Sequence, residues 1–343
     1  MDFDLSAEQQ AVADVVTSVL QRDNSWAALV DGGVTALPVP ERLGGDGVGL
    51  PEVATLLTEV GRHGAVTPAL ATLGLGVVPL LDLATDEQQD RYLAGVSKGA
   101  VLTAALNEPG VALPDRPSTA YHHGRLSGTK LGVGYAEQAD WLIVTTAEAV
   151  VVVSPKASGV RLVRTPTSNG SDEYVVTFDD VAVADSDVLV GAAAHRVNRL
   201  ALAVIGAYAD GLVAGALRLT ADYVANRRQF GKPLSTFQTV AAQLAEVYIA
   251  SRTIDLVAKS VIWRLADGRE ADPQTSQDLD VLGYWLTSQA PPAMQICHHL
   301  HGGMGMDVSY PMHRYYSTIK DLTRLLGGPS LRLELLGARC SST

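Results

Sequence analysis

The sequence predicts an α+β protein in three parts, helical, then β, then helical again. Apolar residues recur at helical spacing through roughly the first 95 residues. Short runs rich in β-branched residues crowd between about Val101 and Val190. Helical spacing then returns in long segments from Ala192 onward. A chain of 343 residues exceeds one small core, so two or three packed units are expected. They are bounded as 1–100, 101–190 and 191–343.

Ser6 is placed as the N-cap of a helix over residues 6–20, with Val12, Val15, Val16 and Leu20 along one face. The glycine-rich stretch PERLGGDGVGL, from Pro40 to Leu50, reads as a loop. Helical pattern resumes near Pro51 and runs through EVATLLTEVG to Gly61, and ATDEQQDRYLAG gives a further short helix ended by Gly95. The β part rests on DWLIVTT, AVVVVSP, GVRLVRT and EYVVTFDDVAV, divided by Gly, Pro, Ser and Asn. The later helices break at Gly268, near Pro291 and at Gly302–Gly303. One of them starts at Ser235, where Ser235 and Gln238 have the S-x-x-Q spacing of a capping box. Phe237, Val240, Ala241, Leu244, Val247, Tyr248 and Ser251 follow it at helical spacing. No internal repeat or low-complexity tract is present.

Composition narrows the function classes. The net charge of −11 argues against a nucleic-acid partner, which needs a positive surface field. The two cysteines, Cys297 and Cys340, give no disulfide framework and point to a reducing cytoplasm. The N-terminal MDFDLSAEQQ is acidic and polar, unlike a signal peptide. The most apolar run, Leu200 to Leu217, carries Asp210 and three glycines, so a helix buried in a bundle is expected and no membrane span.

One stretch, NRRQFGKPLSTFQTVAAQLAEVY (226–248), ties a basic pair to the start of an amphipathic helix and is suited to an anion. Each residue also has a plainer reading. Gln238 satisfies a backbone N–H as part of a cap, and Arg227 and Arg228 complement the negative end of the preceding helix.

Four motifs in order then carry a family resemblance. R-x-x-F-G-K-P-L…F-Q (Arg227, Phe230, Gly231, Lys232, Pro233, Leu234, Phe237, Gln238), PERLGGDGVG, FDDVAVADSDVL (Phe178 to Leu189) and HLHGGMGMDVSYPMHRYY (His299 to Tyr316) resemble the acyl-CoA dehydrogenase family over most of the chain. The resemblance implies a helical N-terminal domain, shortened here, a small middle β-barrel or sandwich and a C-terminal four-helix bundle. It also implies FAD held at a dimer interface, with one subunit cradling the isoalloxazine while its neighbour reaches the pyrophosphate and adenosine. By position the reaching residues are Arg227, Phe230, Gln238, His299, Gly302 and Gly303. Arginine offers charge-assisted bonds to phosphate, phenylalanine an apolar surface, and glycine close backbone approach.

The cradling half departs from the family. ALNEPGVALPD keeps Glu108 and Pro109 of the T-E-P-x-x-G-S-D segment but has Asn107 and Val111, Ala112 and Leu113 elsewhere in it. In SGTKLGVGYAEQADW, Gly132 and Gly134 replace the aromatic and hydroxyl residues of G-x-K-x-W-I-T, and glycine offers no stacking surface. The family's reaction needs a carboxylate facing Cα of an acyl-CoA. Its two base positions fall on Leu326 and Ala201, so no catalytic residue is expected, and no metal. The stretch RDNSWAALVDGGVTALPVPERLGG leaves little room for the family's second helix.

The reading favoured is the short, non-catalytic subunit of an actinobacterial α2β2 steroid side-chain acyl-CoA dehydrogenase. It completes the FAD site of a longer partner that carries the catalytic Glu, and an electron-transfer flavoprotein is the implied acceptor. Two alternatives stand beside it. One is a homo-oligomeric dehydrogenase with a relocated base, for which Asp210, Glu108 and Glu334 are the acidic candidates. The other is an acyl-CoA-binding or scaffolding protein that retains only the fold.

Overall fold

Ser6 starts the first helix as expected. The Gln9 N–H donates to Ser6 Oγ (3.2 Å) and the Ser6 N–H to Gln9 Oε1 (2.9 Å), closing a capping box. The computed structural model describes residues 3–191 and 193–341, with side chains through Arg339. Helix α1 (Ala7–Leu20) buries Val12, Ala13, Val16 and Leu20, whereas Val15 is 41% exposed. At about 100° per residue, Val15 falls well off the stripe centred on Val16 and Leu20, and Ala13 takes its place.

The segment after α1 holds only the six-residue α2 (Trp26–Asp31) and short turns before α3 (Leu50–Arg62). Sequence reading missed the next element, a π-type helical stretch Leu70–Val77 continuing into α4 (Val78–Leu83). Its run LATLGLGVVPLLDL is apolar on nearly every side, and residues 71–80 are buried, so no amphipathic period marks it. Helix α5 (Asp86–Leu93) is capped by Thr85, whose hydroxyl accepts from the Gln88 N–H.

The β part contains β1 (Leu102–Ala105), β2 (Ala120–His122), β3 (Arg125–Gly134), β4 (Trp141–Thr145), β5 (Val150–Val153), β6 (Val160–Thr165), β7 (Glu173–Ala182) and β8 (Val188–Leu189). They form two four-stranded sheets, ordered β1-β4-β5-β8 and β2-β3-β7-β6. Only β1 with β4 is parallel among the pairs in these sheets. Alternate residues such as Leu126, Leu142, Val144, Val151, Val176 and Phe178 share a core.

Helix α6 (Ala194–Asn226) is the axis of the C-terminal part. Its most apolar 18 residues reach a mean hydropathy of 1.8, long and apolar enough to cross a membrane, yet 89% of that stretch is buried inside the protein. At Gly61 and Gly211, α3 and α6 touch backbone to backbone, and a Cβ at either position would collide with the Tyr208 or Thr58 carbonyl. A two-residue hairpin, β9 (Arg228–Gln229) with β10 (Lys232–Pro233), leads to α7 (Gln238–Ala266), α8 (Pro273–His301), α9 (Met312–Leu325) and α10 (Gly328–Ser341).

Two expectations fail in this part. Helix α8 does not break near Pro291 but runs through Pro291 and Pro292. Interior proline costs roughly 3 kcal/mol, and burial of Leu286, Ala290, Ala293 and Met294 around the pair opposes that cost. The Ser235–Gln238 capping box does not form either. A 3₁₀ turn occupies Leu234–Thr236, and α7 begins at Gln238 behind Phe237 with no side-chain cap. The face read from Phe237 to Ser251 is buried only from Val247, and Tyr248 is 56% exposed. Cys297 is a buried free thiol, whereas the side chain of Cys340 lies outside the described residues.

Candidate functional site

The fold brings the anion-binding candidates to one end of the helical part. Arg227 is the C-cap of α6, with its N–H donating to the Tyr223 carbonyl at 2.8 Å. One turn earlier, Tyr223 stacks on His301 (centroids 4.6 Å, planes 28° apart), the last residue of α8. Gly302 and Gly303 follow directly, so this stack joins the glycine pair to the end of α6. Phe230 at the hairpin tip meets Phe237 edge-on at 6.4 Å, and Lys232 Nζ lies 4.3 Å from the Phe237 ring centre. Gln238 opens α7 beside them.

These residues are held out rather than used up. The Arg227 guanidinium and the Gln238 amide make no side-chain hydrogen bond among the described residues, and both are exposed, as is His299. Arg228 is different, because its Nη2 donates to the Gly231 carbonyl and closes the hairpin (3.0 Å). Phe230 is 92% exposed at φ 50°. A bulky side chain held in the left-handed region and turned to solvent is the kind of local cost that marks a contact surface. Gly302 has φ 55° with ψ −134°, which favours glycine. Gly303 needs another reason, since a Cβ there meets nothing within 4 Å.

Sequence reading named His299 and passed over His301. His301 is 2% exposed, with Nδ1 2.8 Å from the Cys297 carbonyl and Nε2 3.1 Å from the Tyr310 hydroxyl. Burial pulls its pKa down, so the ring is neutral. A carbonyl only accepts, so Nδ1 carries the proton and Nε2 accepts from Tyr310. His301 therefore fixes the glycine segment, while His299 faces outward.

The cradling half is narrow. Asn107, Leu131, Gly132, Gly134, Tyr208 and Leu325 are among the residues around a cavity of about 110 Å³, well below the ~300–1,000 Å³ of small-molecule sites. Bonds stitch the β part to α9 across it. Asn107 Nδ2 donates to the Leu325 carbonyl (2.7 Å), and Arg324 pairs with Glu173 (2.6 Å). The Ser168 and Asn169 N–H groups both donate to Asp321 (2.9 Å each). A cavity of this size does not fit an isoalloxazine, and Gly132 and Gly134 offer it no stacking surface. Leu326 and Ala201 are wholly buried and aliphatic. The donor set at the other end, a free guanidinium, an amide and an exposed glycine backbone, does fit a pyrophosphate reached from outside.

The relocated acids fare differently. Glu108 is 3% exposed and accepts from the Ser118 N–H (2.6 Å) and Oγ (2.7 Å), the Thr119 N–H (2.9 Å) and Lys130 Nζ (2.9 Å). Burial pushes its carboxyl up, but those donors outweigh it and hold it at about 2, too weak and too enclosed for a base. Glu334 is exposed on α10. Asp210 is 6% exposed, and burial, reinforced by Asp255, pushes it up to about 7. It opens onto a second cavity, whereas Ile205 and Tyr208 of the same helix line the first.

A pH dependence follows for Asp210. Its folded-state pKa is raised from 3.8, so its stabilising contribution is complete below about 4 and is lost as pH rises toward 7. Asp210→Asn removes the ionisation. The variant should gain on the parent in melting temperature between pH 5 and pH 8, and a constant difference across that window would show that Asp210 titrates normally.

Known proteins resemble this chain in sequence and in fold. Residues 6–100 match the N-terminal domain of the acyl-CoA dehydrogenases and residues 191–339 their C-terminal domain. The chain is 84% identical to acyl-CoA dehydrogenase FadE28 of Mycobacterium tuberculosis over the full length of both. Its fold is similar to a chain of the ChsE4–ChsE5 complex from Mycobacterium tuberculosis (TM-score 0.90, 27% identity, both chains fully covered). A chain of a Tcur3481–Tcur3483 steroid ACAD variant gives a TM-score of 0.87 at 30% identity, with 98% of each covered.

Proposed function

From the premise that this chain belongs to the acyl-CoA dehydrogenase family, we propose that it is the non-catalytic subunit of a two-component acyl-CoA dehydrogenase, completing from outside the FAD site of a longer subunit. The carrying observation is an asymmetry. Arg227, Phe230, Gln238 and Gly303 are exposed, and the Arg227 and Gln238 side chains make no hydrogen bond among the described residues, while the cradling side is narrowed to about 110 Å³ and bridged by Asn107, Arg324 and Asp321.

Members of the family are FAD-dependent, and bound FAD supplies the redox capacity for oxidising an acyl-CoA at Cα–Cβ. In this reading Arg227 donates charge-assisted bonds to the pyrophosphate and Gln238 adds an amide donor. Phe230 packs on the partner's surface, and the backbone at Gly302–Gly303, held by His301, approaches closely. His299 is exposed in the last turn of α8. The partner would supply the glutamate base, and an electron-transfer flavoprotein would be the electron acceptor. The related Tcur3481–Tcur3483 protein is a steroid ACAD, which supports a bulky steroid side-chain CoA thioester as substrate, and the buried free thiol of Cys297 fits a reducing cytoplasm.

The complex should contain one FAD for each pair of unlike chains, and Arg227→Ala should weaken its retention. Hydrogen bonds to charged groups contribute roughly 1.5–3 kcal/mol, so the loss should be about ten- to a hundredfold in FAD affinity. A role at the helix end alone is worth only ~0.3–1 kcal/mol and would leave flavin content unchanged. Titrating FAD into the apo complex separates the two, and equal affinities for parent and variant would remove Arg227 from the site.

A further inference from the structure

The second cavity, of about 470 Å³, opens between the entry to α1, α3, α6 and α7. It falls within the usual size of a small-molecule site. Ala207, Ala258, Ile262 and Trp263 give it apolar walls. The lining hydroxyls of Thr55 and Thr58 are spent on the Pro51 and Ala207 carbonyls. Glu59 is paired with Arg62 (3.4 Å) and accepts from Thr17, while Asp255 is paired with Arg252 (2.8 Å) and Lys259 (3.0 Å). Arg62 Nε has its ion pair with Glu59 but no hydrogen-bond partner. Among the lining acids Asp210 is the exception, because it is more than nine-tenths buried, lines the cavity, and makes no hydrogen bond or ion pair with any described residue. A carboxyl so placed needs a donor from outside the chain.

The surroundings state which donor. The cavity is lined by the acids Asp4, Glu52, Glu59, Asp210, Asp255 and Asp267 against the cations Arg62 and Lys259, so its field repels anions such as a CoA phosphate. Among the described residues no group of His, Cys, Asp and Glu is arranged to hold a metal ion. We propose that this cavity binds a small primary ammonium compound with an apolar body, the ammonium donating to Asp210 and the hydrocarbon lying against Ile262 and Trp263. The inference is independent of the flavin reading, because none of the residues named for flavin lines this cavity.

The groups that set the titration of Asp210 are Asp255, Lys259 and Arg252 from α7 and Arg62 from α3, with Glu59 and Asp4 also facing the space. Near pH 6 the empty site holds Asp210 protonated, so an ammonium ligand must displace that proton.

The test uses the full chain with phenethylammonium and its neutral analogue 2-phenylethanol, read by isothermal calorimetry. The ammonium is expected to bind about ten- to a hundredfold tighter than the alcohol at pH 8. At pH 6 it should release about one proton per site, seen as a dependence on buffer ionisation heat. Asp210→Asn, close in shape, should abolish both the preference and the proton release while the protein stays folded. Equal affinity for alcohol and ammonium, no binding of the ammonium, or a preference that survives Asp210→Asn would each overturn the proposal.

Discussion

The chain produced without a partner is expected to purify colourless and to turn over no acyl-CoA. Both expectations rest on groups that are missing or misplaced. Gly132 and Gly134 put no ring at the positions where the family has its aromatic and hydroxyl residues, and the cavity they line, about 110 Å³ with Tyr135 and Tyr208 in its walls, is flanked by the Asn107–Leu325 and Arg324–Glu173 contacts. Leu326 and Ala201 are buried aliphatics where a carboxylate would face Cα. Leu326→Glu should not restore activity. Leu326 is wholly buried at the C-cap of α9, so a carboxylate there would lose its hydration and destabilise the helix end, and the neighbouring Arg332 is already engaged, its Nε donating to the Leu326 carbonyl (2.8 Å). Proton abstraction also demands reacting atoms within about 3–3.5 Å of one another, and a cavity of about 110 Å³ leaves no room for a substrate and a flavin ring together. Flavin absorbance per chain and a dye-reduction assay decide the matter. Stoichiometric FAD with turnover in the isolated protein, or an active Leu326→Glu homo-oligomer, would sink the non-catalytic reading.

How much of this was legible in the sequence depends on the physics of each element. The α, β, α order was readable because periods of 3.6 and 2 report half-buried surfaces. Leu70–Leu83 was not, since a helix buried on all sides loses its period. Helix α8 was expected to stop at Pro291 because local propensity is only a weak prior, and packing around Ala290, Ala293 and Met294 overrode it. At the site, Arg227 and Phe230 were found by motif, but their decisive property, exposure without partners, exists only in three dimensions. His301 was missed because its neighbour His299 matched the motif position. The clue available was a second histidine directly before Gly302. Glu108 could be noticed as an acid but not placed, since nothing in the sequence says that Lys130 meets it across the β part.

That pairing supports the last prediction. Lys130 is 0% exposed, and its ammonium donates to Glu108 Oε1 (2.9 Å), Thr145 Oγ1 (3.1 Å) and the Leu106 carbonyl (3.3 Å). All three of its protons are used, so a single side chain ties β3 to β4 and to the Leu106–Glu108 segment after β1. Burial pulls the Lys130 pKa down while Glu108 pushes it back up, and the carboxylate held at about 2 keeps the pair ionised at neutral pH. Lys130→Met keeps the length of the side chain but leaves Glu108 charged, buried and without its cation. Breaking a buried pair from one side costs about 3–5 kcal/mol, a large share of the ~5–15 kcal/mol that holds a domain together. The sign with pH is fixed by Glu108. Its folded-state pKa is depressed, so its stabilising contribution is complete above about 4.5 and is lost as pH falls toward 2. The gap between parent and Lys130→Met should therefore narrow on acidification. Adding Glu108→Gln to Lys130→Met should recover part of the loss at pH 7, because an amide oxygen still accepts from the Ser118 and Thr119 N–H groups without a buried charge. Urea unfolding at pH 7 and pH 3 measures all three proteins. A loss under about 1 kcal/mol for Lys130→Met, the scale of a solvent-exposed pair, would mean that water reaches Glu108 and that the acid retained from the family's flavin segment is not a structural anchor.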